Sequence, residues 1–215
     1  MSDFKQFDPR AFVENLRIMS DAKGAVAEEP SDAWRSVRRE RLRGLEVDPE
    51  HARLALADRG CPSLPTHAGS RAAADAAERF VADPKARLLI FGGPTGRGKS
   101  VAATWIAGSL DGCSWISAKD VRVGDAWAQA FPRALKALAL IVDDLGQEAS
   151  EWAAKELGSL IESRYDKGRR TVITTNLPLA SVVKVYGDRL ASRLSRAGAS
   201  EYVICGGSDL RREAQ

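Results

Sequence analysis

Cysteine is scarce in this chain, and its placement excludes more than its number does: Cys61, Cys113 and Cys205 lie far apart among 215 residues, with no CxxC pair. That spacing offers neither the paired thiolates of a zinc site nor a disulfide framework, so a reducing, cytoplasmic compartment is expected. A surplus of one charge is missing as well. Lys and Arg number 32 against 29 Asp and Glu, a formal net charge of +3, so contact with nucleic acid would have to come from a local patch and not from an overall basic field. No apolar run approaches the roughly 20 residues needed to span a bilayer, and "MSDFKQFDPR" has no apolar signal core. A soluble protein without membrane contact is the expectation. Internal repeats and long low-complexity tracts are absent too. With 44% hydrophobic residues, a chain of this length can bury one good core and carry an appendage, rather than build two full domains.

What is present falls into two regimes. The first is helical. "FDPRAFVENLRIMS" offers Asp8 as an N-cap, Pro9 at the first helical position, and Phe12, Val13, Leu16 and Met19 at helical spacing. "DAKGAVAEEPSD" follows; rich in Ala, Gly, Glu and Pro and without apolar periodicity, it reads as a flexible tether. Residues 1–30 are therefore expected to form a partner-docking helix and tether, and 31–215 the main domain with its core over 85–205. "SDAWRSVRRERLRGL", capped by Ser31 or Asp32, puts Arg35, Arg39 and Arg43 on one helical stripe, the strongest local basic feature. Two more helices are expected around 48–58 and 69–82, separated by the breaker-rich "GCPSLPTHAG".

From residue 87 short apolar runs alternate with helical segments: "RLLIF", "CSWIS", "LALIVDD", "RTVITTN" and "EYVIC". Each is rich in β-branched or aromatic residues and lacks polar alternation, as strands covered on both faces do. The fold class is α/β, a five-stranded parallel sheet with flanking helices. In "SEWAAKELGSLIESRYDKG" a helical face is formed by Trp152, Ala153, Leu157, Leu160, Ile161 and Tyr165, and Gly168 stands at its end as a C-cap.

Gly93, four further residues, then Gly98, Lys99 and Ser100 satisfy the phosphate-loop pattern, with a strand before and a helix after. Residues Gly93, Pro94, Thr95, Gly96, Arg97, Gly98, Lys99, Ser100 and Val101 are the expected nucleotide contacts. Glycines let successive backbone N–H groups converge on a phosphate, and the helix start adds its dipole. Lys99 neutralises phosphate charge and the Ser100 hydroxyl ligates Mg²⁺, which makes ATP and Mg²⁺ the expected cofactors. "LALIVDDLGQE" ends a buried strand in Asp143, expected in the metal shell, and Asp144, expected as the general base that polarises water. Glu148 is an alternative base. Asn176, where "RTVITTN" ends before Pro178, is placed to bond a γ-phosphate or the lytic water.

With "IESRYDKGRRTVITTNLPL" and "YGDRLASRL" added to these motifs, and a weaker echo in "RGCPSLP", the chain resembles the DnaC/IstB-like branch of AAA+ ATPases over about residues 50–205. The resemblance implies helicase loaders or the ATP-binding partners of transposases. It assigns Lys99 and Ser100 to Walker A, Asp143 and Asp144 to Walker B, and Asn176 to sensor 1. Arg193 matches the arginine finger inserted into a neighbour's ATP site, with Arg189 as second choice; a planar, always-charged guanidinium suits transferring phosphoryl oxygens. The chain departs from the family after Ser100, where "VAAT" replaces the more usual Thr-His-Leu-Ala. Only ten residues follow "EYVIC", so the helical lid and its sensor 2 arginine are expected to be absent. A short segment between "AKDV" and "LALIVDD" argues against a full-sized helical insertion.

Three functions stand open on the sequence. One is an ATP-dependent loader acting on a hexameric, DnaB-type replicative helicase and single-stranded DNA, self-associating through its ATP interface and hydrolysing slowly unless stimulated by assembly or DNA. The helix at residues 9–19 would dock on the helicase, and the Arg35, Arg39 and Arg43 stripe, Lys119 and Arg122 would be DNA contacts. The second is a transposition ATPase on duplex DNA that stimulates a transposase. The third is a nucleotide-dependent assembly switch of negligible turnover, since Asp144 in place of a glutamate is one methylene shorter in its reach. A small-molecule kinase fits less well, because nothing in the sequence resembles an acceptor site.

Overall fold

The computed structural model describes residues 32–56, 68–194 and 198–206. The expected helix and tether within 1–30, the cap Ser31, "RGCPSLP" with Cys61, and residues 207–215, where the expected absence of a lid would be read, lie outside the described residues.

Three helices precede the sheet: α1 (Asp32–Leu42), α2 (Pro49–Leu56) and α3 (Ala68–Ala82). Helix α2 starts where Asp48 Oδ1 accepts the backbone N–H of Glu50 at 2.9 Å and of His51 at 3.2 Å, with Pro49 at the position whose missing N–H costs nothing. Then follow β1 (Leu88–Gly92), α4 (Lys99–Ser109), β2 (Cys113–Ser117), a 3₁₀ turn (Ala118–Asp120), α5 (Asp125–Lys136) and β3 (Ala139–Leu145). The order continues with α6 (Glu151–Asp166), β4 (Arg170–Thr175), α7 (Leu179–Tyr186), α8 (Asp188–Leu194) and β5 (Ser200–Ile204). A single helix, α5, occupies the segment between the 3₁₀ turn and β3.

All pairings in the sheet are parallel, in the order β2-β3-β4-β1-β5. The five apolar runs became these strands, with β1 and β3 starting one residue later and β5 one residue earlier. Lack of polar alternation has the expected cause: each face is covered. Leu89, Phe91, Ile141, Val172 and Val203 pack against α1 to α4, whereas Leu88, Ile90, Leu140, Val142 and Ile173 pack against α5 to α8. Helix α4 lies between the sheet and α1 to α3, and is buried from Val101 to Ser109.

The arginines of α1 divide in a way the sequence did not show. Arg39 and Arg43 face solvent, and Arg43 falls past the helix end at Leu42, which cuts the expected stripe short. Arg38 is buried with its guanidinium 4.5 Å from the Trp105 ring centroid. Arg41 donates to the carbonyls of Gly108 and Ser109 at the C-terminus of α4 and pairs with Asp111 at 2.7 Å.

Helix α6 begins at Ser150, whose Oγ accepts from the N–H of Ala153 at 3.2 Å, and the chain leaves it through Gly168 at φ 67°. Its buried face holds Ala153, Leu157, Leu160 and Ile161 as expected, with Trp152 and Tyr165 at the margin. It also holds Arg164, fully buried. That guanidinium donates to the carbonyls of Ala134, Leu135 and Ala137 at the end of α5, to Arg170 O, and to Thr171 Oγ1. Burial pushes its pKa down to about 10, with the Arg169 charge adding to the effect. Among the described residues no helix is long and apolar enough to cross a membrane.

Candidate functional site

The carboxyl ends of β1, β3 and β4 converge at one edge of the sheet, the edge at which open α/β sheets hold ligands. Residues 93–98 connect β1 to α4 there. Gly93 has φ 137°, and a Cβ on it would stand 2.3 Å from the Cys205 carbonyl oxygen, so only glycine fits this approach. Gly98 caps α4 in the left-handed conformation at φ 79° with no side-chain acceptor for the helix's first N–H groups. Those groups are left to an anion.

Lys99 is 5% exposed, and its ammonium protons are fully committed: it donates to Gly93 O at 2.7 Å, to Pro94 O at 2.7 Å and to Asn176 Oδ1 at 2.9 Å. Burial lowers its pKa, opposed by Cys205, Asp144 and Asp143. At the next residue, the Ser100 hydroxyl donates to Asp143 Oδ1 at 2.9 Å, and the Thr174 hydroxyl donates to the same oxygen at 2.6 Å.

A bulge sets the aspartate pair. The ladder runs from Val142 opposite Ile173 to Leu145 opposite Thr175, so two residues of β3 oppose one of β4. Asp144 takes up the extra residue at φ 58°, and its N–H donates to Thr174 Oγ1 at 2.9 Å. The Asp144 carboxyl is half-buried, with a pKa raised by burial first and by Asp143 second, and held down by Lys119, Lys99 and His51.

The Ser100–Asp143 separation has a direct chemical reading. Adjacent ligands of an octahedral Mg²⁺ bound at 2.0–2.1 Å stand ~2.9 Å apart, as these two oxygens do. Among the described residues no group of three or more His, Cys, Asp or Glu gathers that could hold a metal. A Mg²⁺ here would take its remaining ligands from phosphate oxygens and water, as this ion usually does. The residues present fit both ATP and Mg²⁺.

No family profile matches the sequence, and no curated protein matches it. Solved structures do match. DnaI superposes with a TM-score of 0.58 at 21% identity, over 78% of this chain and 95% of that one. The DnaC helicase loader gives 0.57 at 22% identity, over 74% of this chain and 100% of that one. The chain shares the fold of these two structures. The replication initiator DnaA bound to AMPPCP and single-stranded DNA gives 0.55 at 15% identity, over 74% of this chain and 51% of that one.

Within this fold, Lys99, Ser100, Asp143, Asp144 and Asn176 come together at the loop, whereas Arg193 lies apart on α8. Arg193 donates to Asp166 Oδ1 at 2.8 Å, approaches Glu162 at 3.8 Å and sits 5.5 Å from the Tyr165 ring centroid, its side chain 12% exposed. Arg189 is the freer of the two, 81% exposed with Glu162 at 3.6 Å. Glu148, the alternative base, is occupied elsewhere: its carboxylate accepts from Gly146 N–H at 3.0 Å and from the Tyr186 hydroxyl at 2.5 Å. Burial and this carboxylate raise the Tyr186 pKa. Lys119 and Arg122 are exposed around the 3₁₀ turn, where Arg122 donates to Lys119 O and Val121 O. Sequence reasoning missed Thr174, which orients both aspartates, and His51, whose charge bears on Asp144. The polar end of "RTVITTN" was the available signal for the first; nothing in the spacing pointed to the second.

Proposed function

We propose that this protein is an ATP- and Mg²⁺-dependent AAA+ ATPase that loads a hexameric replicative helicase onto single-stranded DNA. The observation that carries the reading is the hydrogen-bonded cluster joining Lys99 to Asn176 and Ser100 to Asp143 beneath the phosphate loop. The loop N–H groups and Lys99 would hold the phosphate chain, and Ser100 and Asp143 a Mg²⁺. When bound, the ion would neutralise charge on the β- and γ-phosphate oxygens. Asp144, with its raised pKa, would take the proton of the attacking water, and Asn176 would orient that water once Lys99 turns to the phosphate.

Arg193, or Arg189 in its place, would reach a neighbouring subunit's γ-phosphate and make hydrolysis depend on self-association. Arg193 would first exchange its partners Asp166 and Glu162. Loading is favoured over a transposition role because DnaI and the DnaC helicase loader are among the similar structures, and each is spanned almost completely by this fold. Residues 1–30 are proposed to dock on the helicase.

Size-exclusion chromatography with the hexameric helicase of the same cell tests the reading, using the full chain and one lacking residues 1–30. A complex formed by the full chain and lost on truncation is expected. No complex with either form would overturn the loader assignment and turn the search to a transposase on duplex DNA.

A further inference from the structure

Beyond Leu145 the chain leaves the sheet in a tight turn that is fastened from two sides. On the β4 side, Asp144 N–H donates to Thr174 Oγ1 and the Thr175 hydroxyl donates to Leu145 O at 2.7 Å. Gln147 N–H donates back to Asp144 O at 3.1 Å, which closes residues 144–147 into one turn with Asp144 at φ 58° and Gly146 at φ 99°. On the other side stands Glu148. Its Oε1 accepts from Gly146 N–H at 3.0 Å and from the Tyr186 hydroxyl at 2.5 Å. Tyr186 is the last residue of α7 and is 8% exposed, its ring against α6, where a Cβ on Gly158 would stand 3.8 Å from Cδ1. A phenylalanine ring would pack there as well; the hydroxyl adds a bond of the short, charge-assisted kind to a residue of the Asp144 turn. A left-handed aspartate persists only where its surroundings over-determine it, and Glu148 with Tyr186 is the part of those surroundings that comes from outside the sheet.

We infer that Tyr186 is a positioning residue, whose hydroxyl holds Glu148 and through it the turn that presents Asp144 to the attacking water. This rests on the ATPase reading above and extends it from the edge of the sheet to the end of α7. Without the hydroxyl, the half-buried Glu148 carboxylate loses one of its two donors and the outer half of the turn loses its tie to the helix. Asp144 then samples more than one orientation, and a misplacement of ~1 Å at a reacting group costs up to ~100-fold in rate.

Equilibrium titration and single-turnover hydrolysis of ATP in Mg²⁺, together with amide hydrogen exchange of the full chain, provide the test. Tyr186→Phe is expected to bind ATP within about twofold of wild type and to hydrolyse it ~10- to 100-fold more slowly. Exchange of the Gly146 and Gln147 amides should quicken ~10-fold while the amides of β3 and β4 keep their protection, which a general loss of stability would not produce. Glu148→Ala should slow hydrolysis as Tyr186→Phe does, and the double variant no further than either alone, because both break one link. Glu148→Gln keeps an oxygen for the tyrosine hydroxyl and should retain at least about a third of the rate. Hydrolysis by Tyr186→Phe within about twofold of wild type, unchanged exchange in its turn, losses that add in the double variant, or Glu148→Gln as slow as Glu148→Ala would each overturn the inference and leave the ATPase reading standing. Wild-type protein that binds ATP and does not hydrolyse it would overturn the ATPase reading, and this inference with it.

Discussion

The Lys99 ammonium donates to Asn176 Oδ1 at 2.9 Å, so the first residue of α4 and the residue after β4, 77 positions apart, share one clasp. A phosphate has to win Lys99 from Asn176 and from two loop carbonyls. Lys99→Ala is expected to abolish binding of a fluorescent ATP analogue, a loss of at least ~100-fold. Asn176→Ala should keep affinity within about threefold and slow single-turnover hydrolysis by ~10- to 100-fold, as loss of one polar contact to the reacting groups does. Equilibrium titration and single-turnover hydrolysis of both variants separate grip from chemistry.

Asp144 combines a strained backbone, φ 58°, with a carboxyl whose pKa is raised above 3.8 by burial and by Asp143. Folding therefore favours its protonated form. Its contribution to stability is fully present below about pH 3.8 and is lost as pH rises through the raised folded-state value. At neutral pH the ionised carboxylate costs stability. Asp144→Asn retains the shape and tolerates the left-handed backbone, so it should raise Tm at pH 7 by ~1–3 °C, a small gain because the half-buried group is partly screened. The gain should shrink at pH 4, while hydrolysis falls at least ~100-fold at every pH. Thermal melts at the two pH values, beside an ATPase assay, check both halves.

Arg164 is buried, has no carboxylate partner among the described residues, and closes the end of α5 against β4 through carbonyl oxygens. Arg164→Ala should lower unfolding free energy by ~3–5 kcal/mol, because several buried acceptors lose their donor together. Arg164→Lys should rescue little, since an ammonium cannot span the same fork. Urea denaturation of both variants decides the matter, and near-normal stability of the lysine form would contradict it.

Arg193 is half of an ion pair in the protomer and the proposed finger between protomers. Arg193→Ala should cost about 1 kcal/mol of stability, leave ATP affinity within twofold, and remove stimulation of hydrolysis by single-stranded DNA or by assembly. Arg189→Ala is the comparator: loss of stimulation there, with Arg193→Ala unaffected, would move the finger to the more exposed arginine. Steady-state ATPase rates against protein concentration, with and without DNA, make the distinction.

The sheet was legible because its strands are covered on both faces, so hydrophobic runs such as "LALIVDD" carry a signal that needs no partner to interpret. The phosphate loop was legible because its glycines and Lys99 answer to one local geometry. Strand order was not, since nothing local in β1 tells that it lies between β4 and β5. The structural role of Arg164 escaped for the opposite reason: an arginine on an apolar helical face reads as an interruption until the carbonyls at the end of α5, more than 25 residues earlier in the chain, are brought to it. Of the visible stripe, Arg39 and Arg43 face solvent, while Arg38 and Arg41, between its members, contact α4. The bulge at Asp143 and Asp144 was hidden as well, because two adjacent aspartates at a strand end look alike until Thr174 binds one as donor and the other as acceptor.

The position of β1 also governs how the molecule can be made. Both of its neighbours are synthesised well after it: Leu88 lies opposite Thr171 on one side and Ser200 on the other. As the chain leaves the ribosome, β2 and β3 can pair with each other, but the strand that carries the phosphate loop has no edge to join until residues 170–204 emerge. The loop therefore acquires its shape only after the strands beside β1 have been made, and a nascent chain broken off in α6 holds every residue from Gly93 to Asp144 without the sheet that would make them a site.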